Sequence, residues 1–125
     1  MKFEREQPGG KNAFTGYGDG YVEVNGRRHQ QSLVVGGERI VVDWPVTSVE
    51  GLGADHMAAL VELKPEIVLL GTGARFQLPP PALLAPLYKA GIGVEAMDTP
   101  AACRTYNILL AEGRNVVAAL IVVPA

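Results

Sequence analysis

The sequence predicts a single α/β domain, residues 1–125, in which an N-terminal β-meander leads into a β-α-β-α-β unit, giving a mixed central sheet with packed helices. Three observations carry this. The first third alternates short β-rich runs with glycine punctuation, the apolar pattern then switches to helical spacing, and continuous apolar runs of strand length separate the helices.

The meander comes first. Tyr21-Val22-Glu23-Val24 runs into Asn25-Gly26, Gln31 to Val35 into Gly36-Gly37, and Arg39 to Trp44 follows. Asn-Gly readily takes the two positive φ angles of a type I′ turn and Gly-Gly can do the same, so these runs read as antiparallel hairpins. Segment 7–20, with Pro8-Gly9-Gly10 and Gly16-Tyr17-Gly18-Asp19-Gly20, is expected as loop or irregular edge.

From Ala54 the period changes. Met57, Leu60, Val61 and Lys64 follow helical spacing, and Pro65 stops the helix by disfavouring α geometry in the residue before it. Ile67-Val68-Leu69-Leu70 is continuously apolar, as a strand buried on both faces would be, and is expected at the centre of the sheet. Pro79-Pro80-Pro81 can open a helix with Leu83, Leu84, Leu87 and Tyr88 as its apolar face and Gly91 as its stop. A strand at Val94 to Met97 follows. Thr99-Pro100 has the form of an N-cap and first helical proline, opening a helix to about Ala111 whose inward stripe is Ala102, Thr105, Tyr106 and Leu109. That spacing turns Arg104 and Asn107 away from the middle of the stripe. Val116 to Val123 closes the sheet.

Composition bounds the function classes. With 48% apolar and 19% charged residues the chain has the makings of a packed core, not of a disordered segment. A formal net charge of −2 provides no positive field for phosphate backbones or anionic lipid, so no nucleic-acid partner is expected. The one basic cluster, Arg27-Arg28-His29, reads as a solvated loop or strand face. A single cysteine, Cys103, allows no intrachain disulfide, and His29 and His56 lie too far apart in sequence to suggest a metal set; no metal or cofactor is expected. The first residues lack the apolar region of a secretory signal, and the longest apolar run, Val116 to Val123, is far short of the ~20 residues that span a bilayer. A cytoplasmic, reducing setting without membrane insertion is the expectation.

Chemistry, where the sequence offers any, gathers at one sheet edge. If the strands ending at Leu70 and Met97 are parallel neighbours, Gly71, Thr72, Gly73 and Arg75 emerge beside Asp98 and Thr99, where open α/β sheets bind ligands. The helix after Thr99 would aim its positive end there, with Arg104 one turn in and Arg75 opposite, a setting for an anion. The competing reading has each arginine neutralising Asp98 or Glu95. Cys103, in the first turn and next to Arg104, has two features that lower a thiol pKa, but no histidine adjoins it, and a lone cysteine is commonly a small buried hydrophobe. Glu95 and Asp98 fall on opposite strand faces, which disfavours an acid/base pair. His56 and Trp44 read as cap and packing residues. No catalytic constellation is recognised.

Two stretches, EIVLLGTGARF from Glu66 to Phe76 and GIGVEAMDTPAACRTYN from Gly91 to Asn107, with Glu112-Gly113-Arg114 beyond them, carry a family pattern. The chain resembles the small domain family that includes a mitochondrial respiratory complex I assembly factor and many uncharacterised bacterial proteins. That resemblance implies a compact α/β fold with a mixed sheet and a part in maturing respiratory or other membrane complexes; it transfers no catalytic residue. The first functional expectation is therefore an interaction or assembly module with protein partners, which predicts an exposed apolar patch around Phe76, Leu78 and the three prolines. The alternative is a small-molecule or anion binder, or an enzyme, using the crevice at Gly71 to Arg75 and Thr99 to Arg104. Strand edges also allow a homodimer.

Overall fold

The computed structural model describes residues 10–125. Its elements are β1 (Phe14–Gly18), β2 (Tyr21–Val24), β3 (Arg27–His29), β4 (Leu33–Gly36), β5 (Arg39–Val41), α1 (Ala54–Glu62), β6 (Ile67–Gly71), α2 (Pro81–Lys89), β7 (Gly93–Met97), α3 (Thr99–Ala111) and β8 (Val116–Leu120). The α/β class, the meander and the β-α-β-α-β order are as the sequence predicts. The meander divides, however: β1-β2-β3 form a small sheet of their own, while β4 and β5 join the main sheet in the order β5-β4-β8-β6-β7.

That order corrects two expectations. The centre is β8, not β6, and the last strand does not close the sheet but is inserted between β4, antiparallel to it, and β6, parallel to it. Both apolar runs fit this placement because each strand is covered on both faces. Along β8 the side chains alternate between two cores: Val116, Ala118 and Leu120 pack with Phe14, Val22, Leu69, Cys103 and Tyr106, whereas Val117 and Ala119 pack with Met57, Leu60, Val68, Leu70 and Leu87. One face is therefore closed by α3 and the meander, the other by α1 and α2.

Segment 7–20, expected as loop or irregular edge, contains at 14–18 the edge strand β1; residues 7–9 lie outside the described residues. Its glycines fit a strand here because β1 has an irregular register between Phe14 and Gly16. Asn25 (φ 53°) and Gly26 (φ 83°) make the predicted tight turn, and the basic cluster beyond it becomes β3, with Arg27 and Arg28 exposed. Neither Gly36, which pairs with Arg39 in the ladder, nor Gly37 in the turn has a positive φ. β5 ends at Val41, short of Trp44, because Asp43 turns to φ 61°.

The helices keep their places with shifts of detail. Gly53 caps α1 with no side chain of its own; the Nδ1 of His56 accepts from the Gly53 amide at 3.0 Å, the predicted capping role. Along α2, Leu84 and Leu87 are buried and Leu83 half-buried, but Tyr88 is 56% exposed and leaves the predicted stripe. The cap of α3 is Asp98, one residue before the predicted Thr99: its carboxylate accepts from Ala101 N at 2.8 Å. Its buried face is Ala102, Cys103, Tyr106 and Leu110, with Thr105 and Leu109 on the flanks. Asn107 reaches β1, where its amide accepts from Phe14 N at 2.9 Å and donates to Phe14 O at 2.7 Å.

Candidate functional site

β6 and β7 are parallel neighbours, Leu70 opposite Ala96 and Gly71 opposite Met97, so the loops after them do emerge at one edge. Thr72 N donates to Met97 O and Thr99 N to Gly73 O, each at 2.8 Å, which stitches the two loops together. Gly71 is required by close approach: a Cβ there would stand 2.7 Å from Leu120 Cδ2 and 2.9 Å from Thr99 Oγ1. The Thr99 hydroxyl, buried, accepts from Gly73 N at 2.9 Å and donates to Ile121 O at 2.8 Å, tying α3 to the chain leaving β8. Thr72 Oγ1 donates to Arg75 O at 2.9 Å and accepts from Gln77 N at 3.0 Å, shaping the following loop.

Gly71, Thr72, Gly73, Asp98 and Thr99 are thus brought together, but as a junction whose polar groups are used internally. At the start of α3, Thr99 N is taken by Gly73 O, Pro100 carries no N–H, Ala101 N goes to the Asp98 carboxylate and Ala102 N to Asp98 O. An anion arriving there would meet a carboxylate in place of free amides, so the helix end does not provide the setting expected for it. The arginines do not converge either. Arg75 is exposed on its loop; Arg104 donates to the phenol oxygen of Tyr17, with its guanidinium carbon 5.6 Å from that ring's centre. Neither arginine forms an ion pair with Asp98 or Glu95 among the described residues.

Cys103 lies at 0% exposure beneath the meander. Burial pushes its thiol up to about 12, outweighing the opposing pull of Arg104, so at neutral pH it is a protonated core side chain. Among the described residues no group of His, Cys, Asp and Glu is placed to hold a metal ion.

What does open at this edge is a cleft of about 330 Å³ between the β1–β2 hairpin and the main sheet. Gly73 and Thr99 line it from the predicted set; Tyr17, Tyr21, Ile121 and Val123 form other parts of its wall. The two tyrosines flank Gly18-Asp19-Gly20, and their spacing around a hairpin turn was the available signal for them. Next to the cleft's edge, the loop between β6 and α2 exposes Phe76 at 54% and Leu78 at 78%. Pro80 and Pro81 are exposed beside them, whereas Pro79 turns inward. Leu78 and Pro80 border a groove of about 490 Å³ whose other side is Val49, Leu52 and Leu83.

A doubly covered mixed sheet, a loop junction locked by a threonine and a projecting apolar loop define a small α/β domain organised around surfaces more than around reactive groups. The chain belongs to the family described as a protein of unknown function (DUF498/DUF598), which residues 14–121 match. It is similar to a crystallised protein from Bordetella parapertussis, with 46% identity, a TM-score of 0.84, and coverage of 92% of this chain and 97% of that one. It is also similar to NADH dehydrogenase [ubiquinone] 1 alpha subcomplex assembly factor 3 of Danio rerio, 40% identical over 87 residues, covering 68% of this chain and 50% of that protein. A third relative is the 13 kDa major membrane protein of Francisella tularensis subsp. holarctica, 37% identical over 71 residues, 57% of this chain and 58% of that protein. The matched region thus spans about half to three fifths of the length of these two curated relatives. Among the described residues of this chain no helix is long and apolar enough to cross a membrane.

Proposed function

We propose that this domain is an interaction module that helps assemble a larger complex by docking on a partner protein, without chemistry of its own. One observation carries the reading: Phe76 and Leu78 project into solvent from a loop whose shape is held by Thr72. Large apolar side chains held out together by a braced loop are what a docking surface presents. The similarity to a complex I assembly factor supports a respiratory or other membrane complex as the client. A cytoplasmic location fits a chain whose one thiol is kept reduced in the core.

The test is affinity capture from the source cell followed by native electrophoresis, with wild-type protein and the Phe76→Asp/Leu78→Asp double variant. Wild type should travel with a subassembly of a respiratory or other membrane complex, and the double variant should lose it while its Tm stays within about 2 °C. Equal retention by both proteins would dismiss the loop as the docking site. The open outer edges of β5 and β7 also leave room for a second copy of the chain, which sedimentation would reveal as a dimer.

A second reading rests on the 330 Å³ cleft, which is within the size range of small-ligand sites. Its tyrosine and aliphatic wall suits an uncharged or aromatic molecule better than the anion expected from the sequence. Saturable binding of such a molecule that Tyr21→Ala, in the cleft wall, weakens would favour this reading over docking.

A further inference from the structure

The opposite end of the main sheet holds a second groove, of about 340 Å³, between the β4–β5 turn, the start of β8 and the last turn of α3. Its lining is apolar and comes from both faces where the sheet ends: Val34, Val117 and Val41 from the α1/α2 side and Leu110 from the α3 side, with Val41 42% exposed and the others nearly buried. Its rim is cationic, with Lys11, Arg39 and Arg114 against the single carboxylate of Glu38.

These cations are poised in different ways. Glu66 holds Arg114 through Nε at 3.0 Å and receives Asn115 N at 3.1 Å, which fixes the guanidinium and leaves its terminal nitrogens outside that contact. The stem of Lys11 passes over Gly37, its Cδ 3.1 Å from where a Cβ would sit, so the missing side chain makes room for it. Neither Lys11 nor Arg39 has an ion-pair partner among the described residues. The negative end of α3 does not offset them strongly, because the carbonyls of Ile108, Leu109 and Leu110 already accept from Glu112, Arg114 and Gly113.

We propose that this groove binds a carboxylate carried on a short aliphatic body, the head among Lys11, Arg39 and Arg114 and the chain on Val34, Val41, Leu110 and Val117. A bare oxyanion would leave the apolar floor wet, and a neutral aliphatic molecule would leave the cations unmatched; the combination satisfies both. The site is independent of the docking loop, which lies at the other end of the strands.

Calorimetric titration of the full chain with acetate, hexanoate, octanoate, octanol and phosphate tests it. Octanoate should bind, with affinity rising about fourfold per methylene along the carboxylate series until the floor is filled. Lys11→Met/Arg39→Met should weaken octanoate by roughly tenfold or more, while Lys89→Met/Arg75→Met, the same charge change elsewhere on the surface, should not. NMR shifts on titration should centre on Val41, Leu110 and Val117. Equal octanoate binding by the double variant, phosphate binding more tightly than octanoate, shifts centred on Tyr21 and Thr99, or no binding up to about 10 mM would each overturn the proposal.

Discussion

Asn107→Ala is the sharpest test of how the small sheet is attached. The Asn107 amide serves β1 as a neighbouring strand would, taking Phe14 N at 2.9 Å and giving to Phe14 O at 2.7 Å. Phe14 is 1% exposed and its ring meets that of Tyr106 edge-on, centroids 5.1 Å apart, so water reaches the orphaned groups poorly. Each buried group left without its partner costs about 1–3 kcal/mol, and two together with some relaxation give roughly 2–4 kcal/mol. Against a total of about 5–15 kcal/mol that is a large fraction, and it corresponds to a Tm drop on the order of 8–15 °C in a domain of this size. Urea unfolding measures the loss, and hydrogen exchange at the Phe14 amide locates it. Asn107→Asp adds a signed control: the carboxylate still accepts from Phe14 N but faces Phe14 O with an oxygen, and protonation restores a donor. Its stability relative to Asn107→Ala should therefore improve as pH falls through the carboxyl range, near about 4 or above. A loss under about 0.5 kcal/mol with the Phe14 amide still protected would refute the reasoning.

Other consequences follow from the packing and the titrating groups. Gly71→Ala should cost about 1–3 kcal/mol in urea unfolding, because the new methyl meets Leu120 and Thr99 inside normal contact distance and the Thr99 junction is backbone-anchored. Cys103 keeps its proton in the fold up to about 12 but loses it near 9 when unfolded, so stability is fully present below the lower value and falls as pH rises between them, by on the order of 3–4 kcal/mol. Cys103→Ala should flatten that alkaline slope, leaving the part due to Tyr106, which burial shifts in the same direction. Hydrogen bonds from Asn115 N and Arg114 hold the Glu66 carboxyl below its usual range, so its contribution is present above about 4.5 and disappears as pH falls through the lowered value. Thermal unfolding of Glu66→Gln across the acid range should show a shallower decline than wild type; an identical profile would remove Glu66 from the acid response.

What the sequence by itself determined were the local features that short-range sterics and periodicity control: the Asn25-Gly26 turn, the three helices, the doubly buried runs in β6 and β8, and the emergence of Gly71 to Arg75 beside Asp98 and Thr99. Family membership was legible because its distinctive stretches, Glu66 to Phe76 and Gly91 to Asn107, are continuous in the sequence; they carry the Gly71 to Gly73 and Asp98 to Thr99 junction. The tertiary structure decided what depends on partners distant in the chain. It set β8 at the centre, because strand order follows which faces can be covered and not the order of synthesis. It made a strand of the glycine-rich 14–18 segment, whose ladder is completed by a side chain 93 residues away. It also determined how the helix end at the predicted crevice is used: a helix terminus attracts anions only through amides that nothing else has taken, and those of Thr99, Ala101 and Ala102 donate to Gly73 O and to the Asp98 carboxylate and carbonyl.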